Sequence, residues 1–250
     1  MADAPSLLIL FGAVVAGFVQ GLSGFAVGLV ATVFWSYSLA PQEIAPLIAI
    51  ASIAGQSLTI RAVLRSLDFR LAMPMLLGGV AGVPVGVALL PHVDTVLFQF
   101  GVGLLLAAYC PAMLLAGALP RIRFGGRWAD AAAGLVGGVM GGIAGLGGPA
   151  PTLWCALRGW DRDVQRAVFQ SFLVVAQGAV LLGYIGTGAI TPHVLQLSLW
   201  VMPCILLPSL LGARLYSRFS TDTFRRVVLG LLFLSGVALL AQSVPSLSHR

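Results

Sequence analysis

The sequence predicts an all-α polytopic membrane protein with an inverted-topology repeat, each half being a broken-helix hairpin followed by three transmembrane helices. Three observations lead to this fold class: the composition, a glycine pattern repeated at half the chain length, and the placement of arginine. Of the 250 residues, 59% are hydrophobic and 9% are charged, and the mean hydropathy is +1.01. Soluble domains carry roughly 25% charged residues. Lipid must therefore be the solvent for most of this chain.

Two glycine-rich runs lie inside apolar segments, at residues 17–25 (GFVQGLSGF) and 138–149 (GVMGGIAGLGGP). A shift of 121 positions places the glycines of the first run on those of the second, and also aligns two glutamines: Gly17, Gly21 and Gly24 fall on Gly138, Gly142 and Gly145, and Gln56 falls on Gln177. A repeated, glycine-interrupted apolar segment is typical of the binding site of a secondary transporter.

The chain divides into eight apolar segments, approximately 6–39, 44–64, 71–90, 96–119, 129–157, 164–187, 192–216 and 224–244. About 20 helical residues span the hydrocarbon core, and six segments are close to that length. The first and the fifth, which carry the glycine runs, are longer. Each is long enough to form two short half-helices joined by a glycine turn, so we expect a hairpin in each. The sequence leaves open whether the hairpins are re-entrant or nearly full-length.

Arginine distinguishes the two sides of the membrane. It lies in the loops after segments two, four, five and seven, whereas the other loops hold Glu43, His92, Asp94 and His193. Eight simple crossings would divide the arginine loops between both sides, against the positive-inside rule. If the first and fifth segments are hairpins, all four loops become cytoplasmic and the second half is inverted. The predicted halves are residues 1–119 and 129–250, joined by a cytoplasmic linker at 120–128.

Close helix packing is the alternative explanation of the glycines. Small residues four apart let membrane helices approach closely, and Gly17 and Gly21, like Gly134 and Gly138, have this spacing. Packing alone does not explain a break at 147–149 or the arginine pattern. We therefore expect broken helices that also pack closely.

The chemistry of such a site favours an anion or a neutral solute. Half-helix N-termini bind anions through unpaired N–H groups and a partial positive charge, and no ionisable residue lies in the middle of any span. The polar candidates are Gln20, Ser23, Thr152, Gln170, Ser171 and the pair Gln56 and Gln177. Each could instead join helices by bonding a backbone carbonyl. Arg166 is either a gate or recruiting charge for an anion or an ordinary positive-inside residue.

Two runs and one dipeptide carry a family resemblance. Residues 21–30 (GLSGFAVGLV) are similar to a G-L-x-G-F-(G/A)-x-x-L-V run, residues 141–151 (GGIAGLGGPAP) to a G-G-x-x-G-x-x-G-P-P run, and Arg166-Ala167 to an R-A pair. The chain thus resembles the TauE/SafE-type sulfite exporter family over essentially its whole length. It departs from the pattern at Ala150, between the two prolines, and at Ala26, where many relatives have glycine.

The resemblance implies a multi-pass protein of the bacterial inner (plasma) membrane that moves sulfite, sulfonates such as sulfoacetate, or related carboxylates, energised by protons or membrane potential. With the motif positions added, the candidate substrate-binding set is Gln20, Gly21, Ser23, Gly24, Phe25, Gln56, Gly145, Gly147, Gly148, Pro149, Thr152, Arg166, Gln170 and Gln177. The expected partners are a small anionic substrate and the lipid bilayer. The sequence leaves open whether the protein forms a homo-oligomer.

The leading hypothesis is an alternating-access secondary transporter, with export favoured because cytoplasmic arginines concentrate anions on that side. An anion channel, or an uptake permease for a sulfur-containing or carboxylate solute, shares every sequence feature and stays open. An enzyme is disfavoured because the spans offer no partnered acid, base or nucleophile, and we expect no catalytic residue, cofactor or metal. A non-transporting scaffold is disfavoured by the short loops. Nucleic-acid binding is disfavoured because there is no basic domain or arm.

Overall fold

The structure is a computed structural model that describes residues 6–23, 26–57, 69–116, 121–122, 125–215 and 221–248. These ranges hold ten α-helices: α1 Leu7–Ser23, α2 Val27–Trp35, α3 Pro41–Ser57, α4 Phe69–Leu89, α5 Thr95–Leu115, α6 Gly126–Ala144, α7 Pro149–Arg158, α8 Arg162–Thr187, α9 Pro192–Leu215 and α10 Thr221–Ser248. A short 3₁₀ turn at Leu90–His92 follows α4. The predicted all-α class is confirmed.

Five helices in the described ranges are long and apolar enough to cross a membrane: Phe69–His92, Thr95–Leu115, Val164–Thr187, Pro192–Arg214 and Arg226–Pro245. Helix α1 is apolar but shorter. Large apolar side chains on these helices face outward; Leu182 is 70% exposed and Leu199 is 75% exposed. Lipid is the solvent that such a surface requires, because a contiguous apolar exterior is unfavourable in water.

Both glycine-rich segments are broken, as predicted, but their arms are unequal. The first segment divides into α1, of 17 residues, and α2, of 9 residues. The fifth divides into α6, of 19 residues, and α7, of 10 residues. At 1.5 Å per residue the first arms are roughly 26–28 Å long and the second arms roughly 14–15 Å. The first arm of each hairpin is therefore nearly full-length, and only the second arm is a short half-helix.

The break in the second half is formed by glycine and proline. Gly145 ends α6 in the left-handed region, with φ of 71°, and its N–H bonds the Gly141 carbonyl oxygen at 2.7 Å. A side chain is strained at this φ. Pro149 then begins α7 at the position where its missing N–H costs least. Helix α6 itself begins at Gly126, so the linker predicted at 120–128 is helical in its last three residues.

In each hairpin, a tryptophan side chain forms a hydrogen bond between the two arms. In the first half the Trp35 indole N–H, at the end of α2, donates to the Ile9 carbonyl oxygen of α1 at 3.0 Å. In the second half the Trp154 indole N–H donates to Asp130 Oδ1 of α6 at 2.7 Å. These bonds hold each short arm against the beginning of its long arm.

The most extensive helix contacts join the two halves. Helix α1 packs against α9 and α6 against α4, while α5 packs against α10 and α3 against α8. Exchanging each helix of the first half for its counterpart five places later leaves these pairings unchanged. The helix order is therefore repeated, and the pattern of contacts follows a two-fold relation. The inverted orientation of the halves in the membrane remains a prediction.

Glycine makes the closest of these contacts, between α4 and α6. A Cβ placed on Gly134 would collide with the Met75 carbonyl oxygen, and one on Gly138 with that of Gly79. The same holds between α1 and α9, where a Cβ on Gly17 would meet the Ile205 carbonyl oxygen. The predicted close packing is confirmed, and it coexists with the break.

Among the described residues, connections between helices are found at both ends of α8. Near its C-terminal end, His193 Nδ1 lies 2.9 Å from Glu43 Oε1, and Gln42 Nε2 donates to the Val93 carbonyl oxygen at 2.9 Å. Near its beginning, the Ile122 N–H donates to the Leu157 carbonyl oxygen at 2.9 Å. The described loops that are predicted to share one side of the membrane thus lie at one end of α8.

Candidate functional site

A small cavity lies between the beginning of α2 and the turn that joins α6 to α7. Its walls come from α2, α3, α8 and the α6–α7 turn: Gly28, Leu29, Ser52, Gln56, Gly145, Leu146, Gly148, Pro149, Leu173 and Gln177. Leu173 and Gln177 are at the middle of the 26-residue α8. The cavity is therefore at mid-depth of the longest helix that lines it.

Six of the lining residues are three pairs separated by 121 positions. Gly28 pairs with Pro149, Ser52 with Leu173, and Gln56 with Gln177. This is the arrangement expected of a site at the interface between two repeats. The sequence shift predicted the glutamine pair, and the structure brings both of its members to one cavity.

The first turn of α2 lies against this cavity. The Val27 N–H is occupied, because it donates to Gln20 Oε1 at 3.2 Å. Val30 is the first residue whose N–H bonds within the helix, to the Ala26 carbonyl oxygen at 3.1 Å. The amides of Gly28 and Leu29 therefore have no acceptor inside α2, and both residues line the cavity.

Helix α7 presents fewer donors than the sequence suggested. Pro149 and Pro151 have no N–H, and the Thr152 N–H is taken by the Gly148 carbonyl oxygen at 3.0 Å. Within the first turn of α7 only the Ala150 N–H remains without an intrahelical acceptor. Proline thus leaves α7 with its partial positive charge but with only one first-turn amide that lacks an acceptor inside the helix.

Gln177 links the helix break to the cavity wall. It is 2% exposed, and its Nε2 donates to the Gly145 carbonyl oxygen at 2.8 Å. A carbonyl can only accept, so the bond fixes which end of the carboxamide faces the break. Among the described residues, Oε1 has no hydrogen-bond partner. Gln177 thus braces the break, as in the helix-joining alternative, and also offers the cavity a buried acceptor.

Several predicted residues support the breaks without lining the cavity. Gln20 bridges α1 and α2, as described above, and Ser23 Oγ donates to the Val19 carbonyl oxygen at 2.8 Å and accepts from the Ala26 N–H at 3.3 Å. Gly21 packs on the backbone of Ser209. Thr152 Oγ1 lies 2.9 Å from the Tyr109 hydroxyl, which joins α7 to α5.

The remaining predicted residues fall at other places. Gly147 is buried in the α6–α7 turn beside Gly137. Gly24 and Phe25 lie outside the described residues. Arg166 is exposed in the second turn of α8, eleven residues before Gln177, which corresponds to roughly 16 Å along the helix. Gln170 lies between them, is 3% exposed and is absent from the cavity wall.

The candidate set from the sequence lacks five lining residues and one buried carboxylate. The five lining residues are Gly28, Leu29, Ser52, Leu146 and Leu173, of which Ser52 and Leu173 are related by the same 121-residue shift as the two glutamines. Asp130 is a buried carboxylate in α6, 2% exposed. Arg158 Nη2 donates to its Oδ2 at 3.1 Å, and Nε lies 3.1 Å from Oδ1 as an ion-pair contact without hydrogen-bond geometry. This pair is at the beginning of the hairpin, and no spacing rule indicates it.

The described lining residues offer hydroxyl, amide and backbone groups but no ionisable side chain. Within the described ranges, no three His, Cys, Asp or Glu residues come together as a metal site. The arrangement suits a small polar solute held by neutral hydrogen bonds and helix dipoles.

Comparison with known proteins places the chain in a transporter family. No curated protein and no solved structure matches it. The profile of the family described as Sulfite exporter TauE/SafE matches residues 9–239, which cover both hairpins, the cavity wall and all five candidate spans except the end of the last. The chain is therefore a multi-pass membrane protein that belongs to the sulfite exporter TauE/SafE family.

Proposed function

We propose that this protein is a secondary transporter that exports a small oxyanion, such as sulfite or a sulfonate like sulfoacetate, by alternating access around the central cavity. The observation that carries this proposal is the cavity itself, which lies between two helix breaks and is walled by repeat-related pairs. Membership of the sulfite exporter family supports the class of substrate.

The chemistry of the wall supports an oxyanion. The first turn of α2, which carries Gly28 and Leu29, and the positive end of α7 favour negative charge without a buried cation. The lack of carboxylates among the lining residues argues against a cation, which would need a counter-charge. The oxyanion would take hydrogen bonds from neutral groups, which allows it to leave again.

Two further features of the proposal concern topology. The two halves, residues 1–119 and 129–250, are proposed to have opposite orientations, with the arginine-rich loops in the cytoplasm. The gathering of loops at opposite ends of α8 supports this, as does the two-fold pattern of helix contacts. A homo-oligomer is compatible with the arrangement and would be detected by mass measurement in detergent.

Topology is tested by labelling single cysteines with a membrane-impermeant maleimide in intact cells. Cys110, Cys155 and Cys204 would first be replaced by alanine. A cysteine at His92 should react from outside and a cysteine at Trp128 only after permeabilisation; Trp128 is 88% exposed and His92 is also exposed. Labelling of both positions from the same side would overturn the proposed sidedness.

Transport is tested with purified protein in liposomes loaded with sulfite. We expect saturable sulfite efflux that is stimulated by sulfite or sulfoacetate on the opposite side, because a carrier returns faster when loaded. Flux that is linear in concentration and insensitive to the opposite side would support the channel alternative. No flux above that of empty liposomes would overturn the transport proposal.

A further inference from the structure

Helix α8 carries a second buried polar group that the central cavity does not use. Gln170 is 3% exposed, and neither its Nε2 nor its Oε1 has a hydrogen-bond partner among the described residues. The next residue, Ser171, is 8% exposed, and its hydroxyl is likewise unpartnered within those ranges. Buried polar groups are nearly always hydrogen-bonded, so three unmatched atoms at adjacent positions call for a ligand or ordered water.

The position of Gln170 relates this group to the cavity. It precedes Gln177 by seven residues, which is two turns, so both side chains leave the same face of α8 about 10 Å apart along the axis. Leu173, which lines the cavity, lies between them on this face. Arg166 is one turn earlier still and is exposed. The face thus runs from the arginine-bearing beginning of α8 to the cavity.

The first half has no such group. The positions 121 residues before Gln170 and Ser171 are Ala49 and Ile50 on α3, and Ala49 is fully buried in an apolar cluster. The position that corresponds to Arg166 is Ala45, also fully buried. The two-fold relation that holds for the cavity wall is therefore absent at the residues that lie between the cavity and the beginning of α8. One approach is polar and the other is apolar.

We propose that Gln170 and Ser171 form a second, side-specific binding step for the oxyanion, between the beginning of α8 and the central cavity, with no counterpart in the first half. This rests on the proposed transport function. The carboxamide and hydroxyl bond the oxyanion when the protein is open toward the beginning of α8. The protein consequently binds the anion more tightly from that side. It releases the anion more easily on the other side, where the corresponding side chains of Ala49 and Ile50 offer no hydrogen bond.

The test is the half-saturation concentration for sulfite, measured separately from each face in right-side-out and inside-out vesicles. In Q170L we expect this concentration to rise about tenfold at the α8-start face, as for the loss of one hydrogen bond to an anion. At the other face it should stay within about twofold. The apparent Tm should equal or exceed that of the wild type, because an unmatched buried amide has been removed. Q170M provides a second, more flexible replacement of similar size.

Gln99 of α5 provides the matched control. Its Nε2 donates to the Ser36 carbonyl oxygen at 2.7 Å, so it is a partnered glutamine away from the cavity. Q99L should lower the Tm and leave both half-saturation concentrations unchanged. Equal changes at both faces in Q170L and Q170M, or none at either face, would overturn the side-specific step while leaving the transport proposal intact. Absence of sulfite flux in the wild type would instead remove both.

Discussion

Gln177 donates its carboxamide hydrogen to the carbonyl oxygen of Gly145, at 2.8 Å, across the break between α6 and α7. The donor is in the middle of α8 and the acceptor is the left-handed residue that ends α6. One bond therefore holds both the shape of the break and the position of a cavity-lining side chain. Structure and binding are coupled at this point, and a change at either residue should affect both.

Replacing Gln177 by leucine should lower stability and transport together. The Gly145 carbonyl would lose its donor inside the protein, which costs about 1–3 kcal/mol when a buried group is left unmatched. The cavity would also lose its buried acceptor, so we expect sulfite flux to fall at least about tenfold. Both are measured on one preparation, by thermal unfolding in detergent and by liposome flux.

The control for Q177L is again Q99L, which removes a glutamine–carbonyl bond of similar length at a residue that does not line the cavity. A comparable loss of Tm with retained flux in Q99L would separate stability from binding. If Q177L transported sulfite as the wild type does, Gln177 would be a helix-joining residue only.

Gly145 and Gly188 allow backbone strain to be separated from crowding. Both are left-handed glycines, with φ of 71° and 72°, and each ends a helix. A Cβ on Gly145 would lie 2.8 Å from Ile48 Cβ of α3, whereas a Cβ on Gly188 would meet nothing within 4 Å. G188A should cost about 1–2 kcal/mol, the penalty of the left-handed region alone.

G145A should cost more than G188A, because the same strain is joined by a collision with α3. The cavity wall must shift, so flux should fall in G145A and persist in G188A. Thermal unfolding and liposome flux of the two variants check this. Equal Tm losses would mean that α3 moves freely, and that the contact between Gly145 and Ile48 does not shape the cavity.

The glycine contact between α4 and α6 predicts a second matched pair. A Cβ on Gly138 would meet the Gly79 carbonyl oxygen, and G138A must push the two helices apart. Gly101 of α5 is a helical glycine whose Cβ would meet nothing within 4 Å. G101A should be neutral or stabilising by up to about 1 kcal/mol, the helix propensity gained. G138A should lower the Tm clearly; a neutral G138A would contradict the close approach of these backbones.

Asp130 and Arg158 form an ion pair in which the side chains are 3% and 12% exposed. D130N leaves the Arg158 charge without its partner, and breaking such a pair costs about 3–5 kcal/mol. The carboxamide oxygen of the introduced asparagine can still accept from the Trp154 indole N–H, so the hydrogen bond between the two arms of the hairpin is retained. The double variant D130N/R158M should therefore recover most of the lost Tm, as measured by thermal unfolding. A double variant no more stable than D130N would show that the charge imbalance is not the cause.

The sequence predicted the repeat and the breaks because both depend on residues with strong local effects. Gly145, Pro149 and the arginine loops each disfavour an unbroken helix or a simple crossing order. Sequence reasoning did not predict the unequal arms, because glycine and proline mark a break without specifying how far each arm continues. Nor did it count the donors of α7. Pro151 removes an N–H group from the first turn of α7 because this helix begins at Pro149. The starting residue becomes known only from the structure.

The side chains around the cavity were only half predictable for a related reason. Gln56 and Gln177 stand out as repeated polar residues in apolar spans, and they do line one cavity. Gln20 and Thr152 stand out equally, yet they bond Val27 and Tyr109 in the interior. Whether a polar side chain faces a cavity or a neighbouring helix depends on the rotation of its helix, which packing across the two halves decides.

The cavity wall makes a final prediction about pH. The described lining residues are all non-ionisable, so any pH dependence of binding should come from the substrate. Sulfite takes up a proton near neutrality. A dianion is far more costly to desolvate than a monoanion, and the Gln177 Oε1 can accept the hydrogen of the protonated form. Sulfite transport should therefore increase as the pH falls from about 8 to about 6, the range in which sulfite takes up its proton.

Methanesulfonate is the control for this prediction, because it stays a monoanion across that range and has no hydrogen to donate. Methanesulfonate binding is measured as the concentration that raises the Tm of the purified protein by a fixed amount. This concentration should be independent of pH. If methanesulfonate binding showed the same pH dependence as sulfite transport, a titrating protein group would be responsible. If neither changed, the protonated form would have no advantage, and the acceptor of Gln177 would contribute only to the shape of the break.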